Sequence, residues 1–258
     1  PFRGIFPKQE ILAGLAELDE EIHKVNPNII IALGNYAFWA ISNNCNITDK
    51  DKYKVPVGIS TWRGSIIPPQ DTYVNRKLLP TYHPSAILRM WEWRAITVHD
   101  LKRAKADSTY TEYRLPNYSF IVRPAFTEVM TVLNSLLLKK DLKLAVDIET
   151  RLGHIACIGL AWSNLDAICI PFMTTHSING YWTEYEEKAI VWKLFTLFTR
   201  NPAPNIIGQN FAYDIQYIAR RWGFIFNIYS DTMLNQHVIL PGTPKDLVYR
   251  ASMYCIFY

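Results

Sequence analysis

A short apolar run that contains two acidic residues constrains the fold of this chain more than any other feature. Residues 144–150 read LAVDIET, so Asp147 and Glu149 are two positions apart. Side chains at i and i+2 of a β-strand project from the same face, and both carboxylates therefore point one way from an otherwise apolar strand. Two neighbouring carboxylates repel each other unless a cation lies between them. The segment therefore predicts half of a divalent-metal site.

A second acidic segment follows. Residues 206–214 read IIGQNFAYD, which predicts an apolar strand that runs into the start of a helix carrying Asp214. Asp214 is interpreted as a third metal ligand or as a carboxylate favoured by the helix N-terminus. Asn210 either caps that helix or positions the active site, and the two interpretations are compatible. Asp231 is a further acid, in the segment SDTMLNQH at 230–237.

These segments resemble the motifs of a nuclease family. Asp147-Ile-Glu149 resembles the first motif of the DEDD-type 3′–5′ exonucleases, and residues 210–214 resemble the second, Asn-x-x-x-Asp. Segments at 155–163, 230–237 and 240–247 follow in the same order, so residues from about 118 to 258 resemble the proofreading domain of phage family A DNA polymerases.

The resemblance implies a metal-dependent exonuclease with a ribonuclease H-like mixed sheet. Asp147, Glu149 and Asp214 would hold two Mg²⁺ or Mn²⁺ ions, with Asn210 beside them, and the substrate would be a single-stranded DNA 3′ end. The fourth acid of the family belongs to a Tyr-x-x-x-Asp motif, but here Tyr254 is followed four residues later by Tyr258. We therefore expect weak activity at best. Asp231 is interpreted as a structural acid, or as one that contacts a ligand rather than the metal.

The first half of the chain carries a different series of motifs. Residues 27–37 predict a buried strand, a Gly-containing turn and a helix, and Trp62-Arg-Gly64 and residues 79–89 follow. This order resembles the C-terminal two-thirds of the uracil-DNA glycosylase superfamily. The implied fold is a three-layer α/β sandwich with a parallel sheet and a site at the strand C-termini. The implied pocket residues are Gly34, Asn35, His83 and Ser85, and the implied DNA-backbone or loop-stabilising contacts are Arg63 and Arg89.

Glycosylase activity is not expected from this half. In the superfamily, the acid that activates water and the Asn that recognises uracil belong to a region upstream of Pro1. His83 alone would offer one hydrogen-bond donor to the departing base, which accounts for roughly 3–4 kcal/mol of barrier. Base excision requires a larger reduction of the barrier, so we expect no release of uracil.

Composition sets the remaining bounds. The 258 residues are 49% hydrophobic and 19% charged with a net charge of +4, which is typical of globular domains and compatible with a nucleic-acid partner. Aromatic residues make up 14% of the chain; they can stack on unpaired bases, but most are predicted to be core. No apolar run approaches 18 residues, so no membrane span is predicted. The unpaired spacing of the cysteines predicts reduced thiols and no iron–sulfur cluster; they are Cys45, Cys157, Cys169 and Cys255.

Periodicity and turn residues predict the element order. Predicted helices cover 10–25, 93–106, 125–138, 183–199, 211–222, 231–240 and 244–253. Predicted strands cover 27–33, 118–122, 142–148, 154–163, 166–172 and 205–208. The polar segment 108–117 reads as a linker.

The sequence therefore predicts an α/β chain of two domains, both truncated: a uracil-DNA glycosylase-like domain at 1–110 and an exonuclease-like domain at 111–258. We expect the chain to be part of a replication polymerase with proofreading function, whose polymerase domain lies beyond Tyr258. The expected location is the cytoplasm, which would be the cytoplasm of a bacterial host if a phage encodes the protein. Three alternatives remain. These are a non-catalytic DNA-binding fragment, a scaffold that docks a polymerase domain, and a base-excision glycosylase with an accessory exonuclease-like half.

Overall fold

The computed structural model describes residues 2–3, 6–50, 53–175 and 180–255. Its backbone divides into two compact units, the first comprising Pro1–Leu115 with Gly242–Tyr258 and the second Pro116–Pro241. In chain order the strands are β1 (Phe2–Arg3), β2 (Phe6–Pro7), β3 (Ile29–Leu33), β4 (Asn46–Lys50), β5 (Tyr53–Val57), β6 (Lys77–Thr81), β7 (Ser119–Val122), β8 (Lys143–Arg151), β9 (His154–Ala161), β10 (Asp166–Pro171), β11 (Asn205–Gly208) and β12 (Ile228–Asp231). The helices are α1 (Gln9–Val25), α2 (Asn35–Ile41), α3 (Ile59–Trp62), α4 (Pro84–Ile87), α5 (Trp93–Asp107), α6 (Phe126–Leu138), α7 (Glu184–Thr199), α8 (Phe211–Trp222), α9 (Thr232–Ile239) and α10 (Leu247–Tyr254).

A pair of parallel strands organises the first unit. β3 and β6 pair in parallel, with Leu33 opposite Thr81. Every residue of β6 is buried, which is typical of a strand covered on both faces. Because parallel strands end at the same edge of a sheet, the chain segments that follow Leu33 and Thr81 lie side by side. The β4–β5 hairpin, which pairs antiparallel, was not predicted from the sequence.

A buried ion pair joins α5 to the turn after α3. The guanidinium of Arg63 donates to both carboxylate oxygens of Asp100, at 3.1 and 2.9 Å, and the Thr81 hydroxyl donates to the same carboxylate at 2.7 Å. Arg63 also donates to Ser252 Oγ at 2.8 Å. Arg63 and Asp100 are only 2% and 0% exposed. A charged pair buried to this extent is stable only while both partners are present.

The C-terminal helix belongs to the first unit. Arg103 donates to the carbonyl oxygens of Ser252 and Cys255 at 3.1 and 2.7 Å, beside the Arg63–Ser252 hydrogen bond. The sequence-based division at 110/111 assigned this helix to the second domain, whereas the structure groups Gly242–Tyr258 with the first unit. Hydrogen bonds between residues about 150 positions apart along the chain account for the difference.

The second unit is built on a mixed six-stranded sheet. The strand order is β12-β11-β8-β9-β10-β7. β11 is parallel to both β8 and β12, β9 is antiparallel to β8 and β10, and β7 is parallel to β10. The central strand β8 alternates between exposed and buried positions, and its buried side chains are Leu144, Val146 and Ile148. They join a core that includes Leu133 of α6 and Leu194 of α7.

The predicted fold class is confirmed: the chain is α/β, with a parallel strand pair in the first unit and a mixed six-stranded sheet in the second. In the part of the chain that the structure describes, no helix is long and apolar enough to cross a membrane. The four cysteines, all among the described residues, form no disulfide with one another. Cys157 and Cys169 are half-buried rather than fully buried, because both lie on the face of the sheet opposite the core.

Candidate functional site

Strand β8 presents two carboxylates on one face. Asp147 and Glu149 occupy exposed positions that alternate with the buried Val146 and Ile148. Opposite them on β9 are two small residues, Gly159 and Cys157. The strand geometry predicted from the two-residue spacing is therefore present, and the small partners leave the carboxylates open to solvent.

The third carboxylate approaches the same strand from α8. Asp214, in the first turn of α8, is only 4% exposed, and its Oδ1 accepts a hydrogen bond from the Ile148 N–H at 3.0 Å. Ile148 lies between Asp147 and Glu149 in the chain, so one short stretch of β8 carries or contacts all three acids. This contact is possible because β11 pairs only with residues 143–145 of β8, which leaves the later N–H groups of that strand edge without a β-partner.

Burial and charge repulsion disfavour the ionised forms of Asp214 and Asp147. Desolvation raises the pKa of Asp214 to about 6; the Ile148 N–H opposes the shift and the charge of Asp147 adds to it. Desolvation, followed by the charge of Glu149, also raises the pKa of Asp147. An added cation would relieve both effects. The electrostatics are those of an anionic site without a counterion.

Two contacts hold α8 against β8 and β11. The hydroxyl groups of Tyr213 and Thr150 form a short hydrogen bond that links α8 to the end of β8. At the end of β11, the Phe211 ring packs directly on the backbone of Gly208, and a Cβ at that position would overlap the ring. Gly208 therefore lets the chain turn from β11 into α8 with Phe211 fully buried.

Asp231 has a structural role. Its carboxylate accepts hydrogen bonds from the backbone N–H groups of Asn210 and Phe211, at 3.0 and 2.9 Å, and of Met233 and Leu234, at 2.9 and 3.4 Å. Desolvation opposes ionisation of Asp231, but these four donors together lower its pKa. One carboxylate thus caps the N-termini of both α8 and α9, in agreement with its interpretation as a structural acid.

Asn210 begins α8 without capping it through its side chain. Its backbone is left-handed (φ 56°, ψ 44°), a conformation that Asn tolerates better than most residues, and its side chain makes no capping hydrogen bond. The capping function predicted for Asn210 is performed by Asp231 instead. Asn210 is exposed, and its position fixes where α8 begins.

The metal assignment stays a prediction. Within the described ranges, no group of three or more His, Cys, Asp or Glu side chains is gathered so that it could hold a metal ion. The ligand chemistry nevertheless suits a divalent metal ion. Mg²⁺ and Mn²⁺ prefer oxygen ligands, and oxygen is the only donor atom in the side chains of Asp147, Glu149 and Asp214. Binding would require the exposed carboxylates of β8 to turn towards Asp214.

The pocket residues predicted in the first unit lie together at the strand C-termini. Gly34, directly after β3, donates its N–H to the Thr81 carbonyl at 2.8 Å. His83 follows β6, and a Cβ at Gly34, whose φ is 88°, would lie 3.0 Å from His83 Cβ. Ser85 N–H donates to His83 Nδ1 at 3.1 Å, and the Ser85 hydroxyl lies 2.7 Å from that nitrogen. Asn35 Oδ1 accepts from the Ile59 N–H at 2.9 Å.

The two arginines predicted to contact DNA differ. Arg63 cannot contact a phosphate, because it is 2% exposed and bonded to Asp100 and Ser252. The burial of Arg63 contradicts a DNA-backbone contact, and the loop-stabilising alternative stays a prediction. Arg89 is exposed in the turn after α4, and its contact with DNA remains a prediction.

Sequence reasoning missed one feature of the second unit. Several aromatic residues predicted to be core line an open cleft beside α7, among them Trp182, Trp192 and Trp222. The spacing of Trp192 and Phe195, one helical turn apart in α7, was the available signal.

Comparison with known proteins yields one family match and several partial structural similarities. Residues 7–106 match the model of the Uracil DNA glycosylase superfamily, which covers a large part of the first unit. No curated protein matches the chain.

The solved structures are similar over about half of this chain. They include the catalytic core of RRP6 from Trypanosoma brucei, with 13% identity and a TM-score of 0.42 over 55% of this chain and 36% of that one. RNase D from Escherichia coli, an exoribonuclease involved in structured RNA processing, shows 16% identity and a TM-score of 0.35 over 54% of this chain and 34% of that one. The POL domain of Pol1 from M. smegmatis, in complex with DNA primer-template and dNTP, shows 17% identity and a TM-score of 0.34 over 48% of this chain and 20% of that one. The chain thus spans about a third or less of the length of each of these structures.

Proposed function

We propose that the second unit is a metal-dependent 3′–5′ exonuclease domain of the DEDD type that hydrolyses DNA phosphodiesters. The hydrogen bond from the Ile148 N–H to the buried carboxylate of Asp214 carries the proposal. It brings the third acid to the stretch of β8 that presents Asp147 and Glu149. Placing a buried acid beside two others opposes stability, and an arrangement of this kind is characteristic of functional sites.

Asp147, Glu149 and Asp214 would hold the divalent ions. Bound Mg²⁺ or Mn²⁺ supplies charge stabilisation and an activated nucleophile in phosphodiester hydrolysis. The protein contributes the positions of the ligands: β8 fixes the two exposed acids, and the Ile148 N–H fixes one oxygen of Asp214. Asp231, through the backbone of Asn210 and Phe211, fixes the start of the helix that carries Asp214.

The substrate and the cellular context are extensions of this proposal. The ordered motifs of residues 118–258 support a single-stranded DNA 3′ end as substrate and a proofreading role within a replication polymerase. A cytoplasmic location is proposed together with that role. A uracil-glycosylase-like unit beside an exonuclease-like unit fits such a protein. In the first unit, the Nδ1 atom of His83 accepts from the Ser85 N–H, which orients the ring and leaves Nε2 as its hydrogen-bond donor; one such donor is too little for base excision.

Degradation of end-labelled DNA tests the proposal. A 5′-labelled single-stranded oligonucleotide is incubated with the chain and Mn²⁺, and we expect slow shortening from the 3′ end. Asp147→Asn should reduce the rate by about 100-fold or more, since even the loss of a residue that supports a metal ligand costs 10–100-fold. Asp166→Asn, a carboxylate on another strand of the same sheet, is the matched control. An intact oligonucleotide, or equal digestion by the Asp147 variant, would favour the non-catalytic alternatives.

A further inference from the structure

An open cleft in the second unit is separate from the three acids. It has a volume of about 1430 Å³ and lies between α7, the residues leading into it, and the residues around the end of α8. None of Asp147, Glu149 and Asp214 lines it. Its volume exceeds that of a typical small-molecule pocket, so it has room for a ligand larger than a single ring system.

The walls of the cleft are aromatic. Trp192 on α7 is 66% exposed although it is one of the largest apolar side chains in the unit. It lies beside Phe195, with ring centroids 5.2 Å apart. The rings of Trp222 and Phe224, also in the lining, are nearly parallel, at 18°. The exposed indole of Trp192 is a surface on which planar groups stack.

Two polar side chains in the lining are partly or largely buried. Trp182 is only 8% exposed, and its indole N–H has no hydrogen-bond partner among the residues that the structure describes. A buried donor without a partner is rare in native proteins and is destabilising. Glu187 is half-buried, and desolvation raises the pKa of its carboxyl. The cleft therefore offers one donor and one carboxyl in addition to its aromatic surfaces.

The first turn of α7 fixes these groups. Thr183 and Glu186 form a capping box, in which Thr183 Oγ1 accepts from the Glu186 N–H at 3.3 Å and Glu186 accepts from the Thr183 N–H at 3.0 Å. Trp182 directly precedes this cap and Glu187 directly follows it. Their relative positions are thus set by the cap, which is the property of a prepared binding site.

Positive charge lies at the same cleft. The Nε and Nη2 atoms of Arg221 donate to the Gly153 carbonyl at 2.9 and 2.6 Å. That partner is neutral, so the hydrogen bonds orient the guanidinium without cancelling its charge. Lys188 also lines the cleft and is paired with the exposed Glu184 at 2.5 Å.

We propose that this cleft binds an unpaired nucleobase together with its phosphate. Trp192 supplies the stacking face, the indole N–H of Trp182 donates to a base acceptor, and the carboxyl of Glu187 engages a base N–H. Arg221 attracts the phosphate. A nucleobase combines a flat face with an edge of donors and acceptors and an attached anion, and this combination matches all four features. The base belongs either to a free nucleotide or to a single strand, and the proposal is independent of the metal ligands.

Binding measured in EDTA tests the proposal separately from the nuclease, because no metal-dependent step can proceed. The probes are a mixture of deoxynucleoside monophosphates, a fluorescent single-stranded dodecamer, and an abasic dodecamer with the same sugar–phosphate backbone. We expect binding of the monophosphates or of the dodecamer, and at least tenfold weaker binding of the abasic strand. Monophosphate binding identifies a free nucleotide as the ligand, and binding of the dodecamer alone identifies a strand.

Three variants locate the site. Trp192→Ala should weaken binding about tenfold, the effect of losing one stacking partner, whereas Tyr185→Ala should leave it unchanged. Tyr185 is the matched control, since it lies on α7, is 76% exposed and does not line the cleft. Trp182→Phe keeps an aromatic ring, removes the N–H together with part of the indole, and should weaken base binding. Thermal unfolding verifies that each variant is folded. A normal strand that binds no better than the abasic strand when it does bind, no binding of either the monophosphates or the dodecamer by the wild type, or identical effects at Trp192 and Tyr185 would overturn the proposal.

Discussion

Replacing Asp214 with Asn is expected to stabilise the metal-free chain at alkaline pH. The folded-state pKa of Asp214, about 6, lies above its ordinary value of 3.8. The folded state therefore binds this proton more tightly than the unfolded state does. The contribution of the protonated carboxyl to the free energy of unfolding is fully present below pH 3.8 and is lost as the pH rises through 6. A difference of about 2 pKa units corresponds to about 3 kcal/mol. Asn stays neutral and can still accept the Ile148 N–H.

Urea unfolding in EDTA at pH values from 4 to 8 measures this effect. Asp214→Asn should unfold with a free energy up to about 3 kcal/mol higher than the wild type at pH 8, with the difference disappearing near pH 4. Asp141→Asn, at an exposed position of the same unit, is the control. An Asp214→Asn chain that is less stable than the wild type at pH 8, or a difference that does not vary with pH, would refute the reasoning. Added Mn²⁺ should stabilise the wild type and not the variant.

Three further substitutions test other parts of the structure. Gly208→Ala should lower the free energy of unfolding by about 1–3 kcal/mol, since the added methyl group overlaps the buried ring of Phe211, as measured by urea unfolding. Asp231→Ala should cost about 2 kcal/mol, because four N–H groups lose their acceptor, while Mn²⁺ affinity measured by calorimetry changes less than it does in Asp147→Ala. Arg63→Ala should cost about 3–5 kcal/mol by leaving Asp100 as a buried, uncompensated charge, again by urea unfolding.

Each of these substitutions has a discriminating control. Gly242→Ala adds the same methyl group where no atom lies within 4 Å of it, so a loss of stability equal to that of Gly208→Ala would contradict the packing argument. Loss of Mn²⁺ binding in Asp231→Ala, with stability unchanged, would make Asp231 a ligand. Arg89→Ala removes an exposed guanidinium from the first unit, and an equal loss of stability there would show that burial is not the cause.

Local patterns were sufficient to predict most elements of the second unit. Helix α8 has the predicted bounds, and β8 begins within one residue of the prediction, because alternating or helical apolar spacing is encoded in adjacent residues. The exposed positions of Asp147 and Glu149 follow from the same alternation. A parallel sheet that ends near Gly34 and His83 was implied by the resemblance of the first half to the uracil-DNA glycosylase superfamily, not by local periodicity.

Long-range contacts were not predictable from those patterns. Nothing adjacent to Arg63 indicates that Asp100 and Ser252 surround it, since the three residues come from separate parts of the chain. The grouping of α10 with the first unit depends on the same contacts. The cap that Asp231 provides for α8 spans about 20 positions of sequence and replaced the local cap expected from Asn210.

Anomalous X-ray scattering from crystals grown with Mn²⁺ tests the metal site most directly. The account predicts anomalous density within coordination distance, about 2.0–2.2 Å for a small divalent ion, of carboxylate oxygens from Asp147, Glu149 and Asp214. It also predicts loss of that density in Asp147→Ala crystals, while any manganese elsewhere remains. Density confined to other acids, or density beside β8 that persists in the variant, would contradict the assignment of these three residues as the metal ligands of a nuclease.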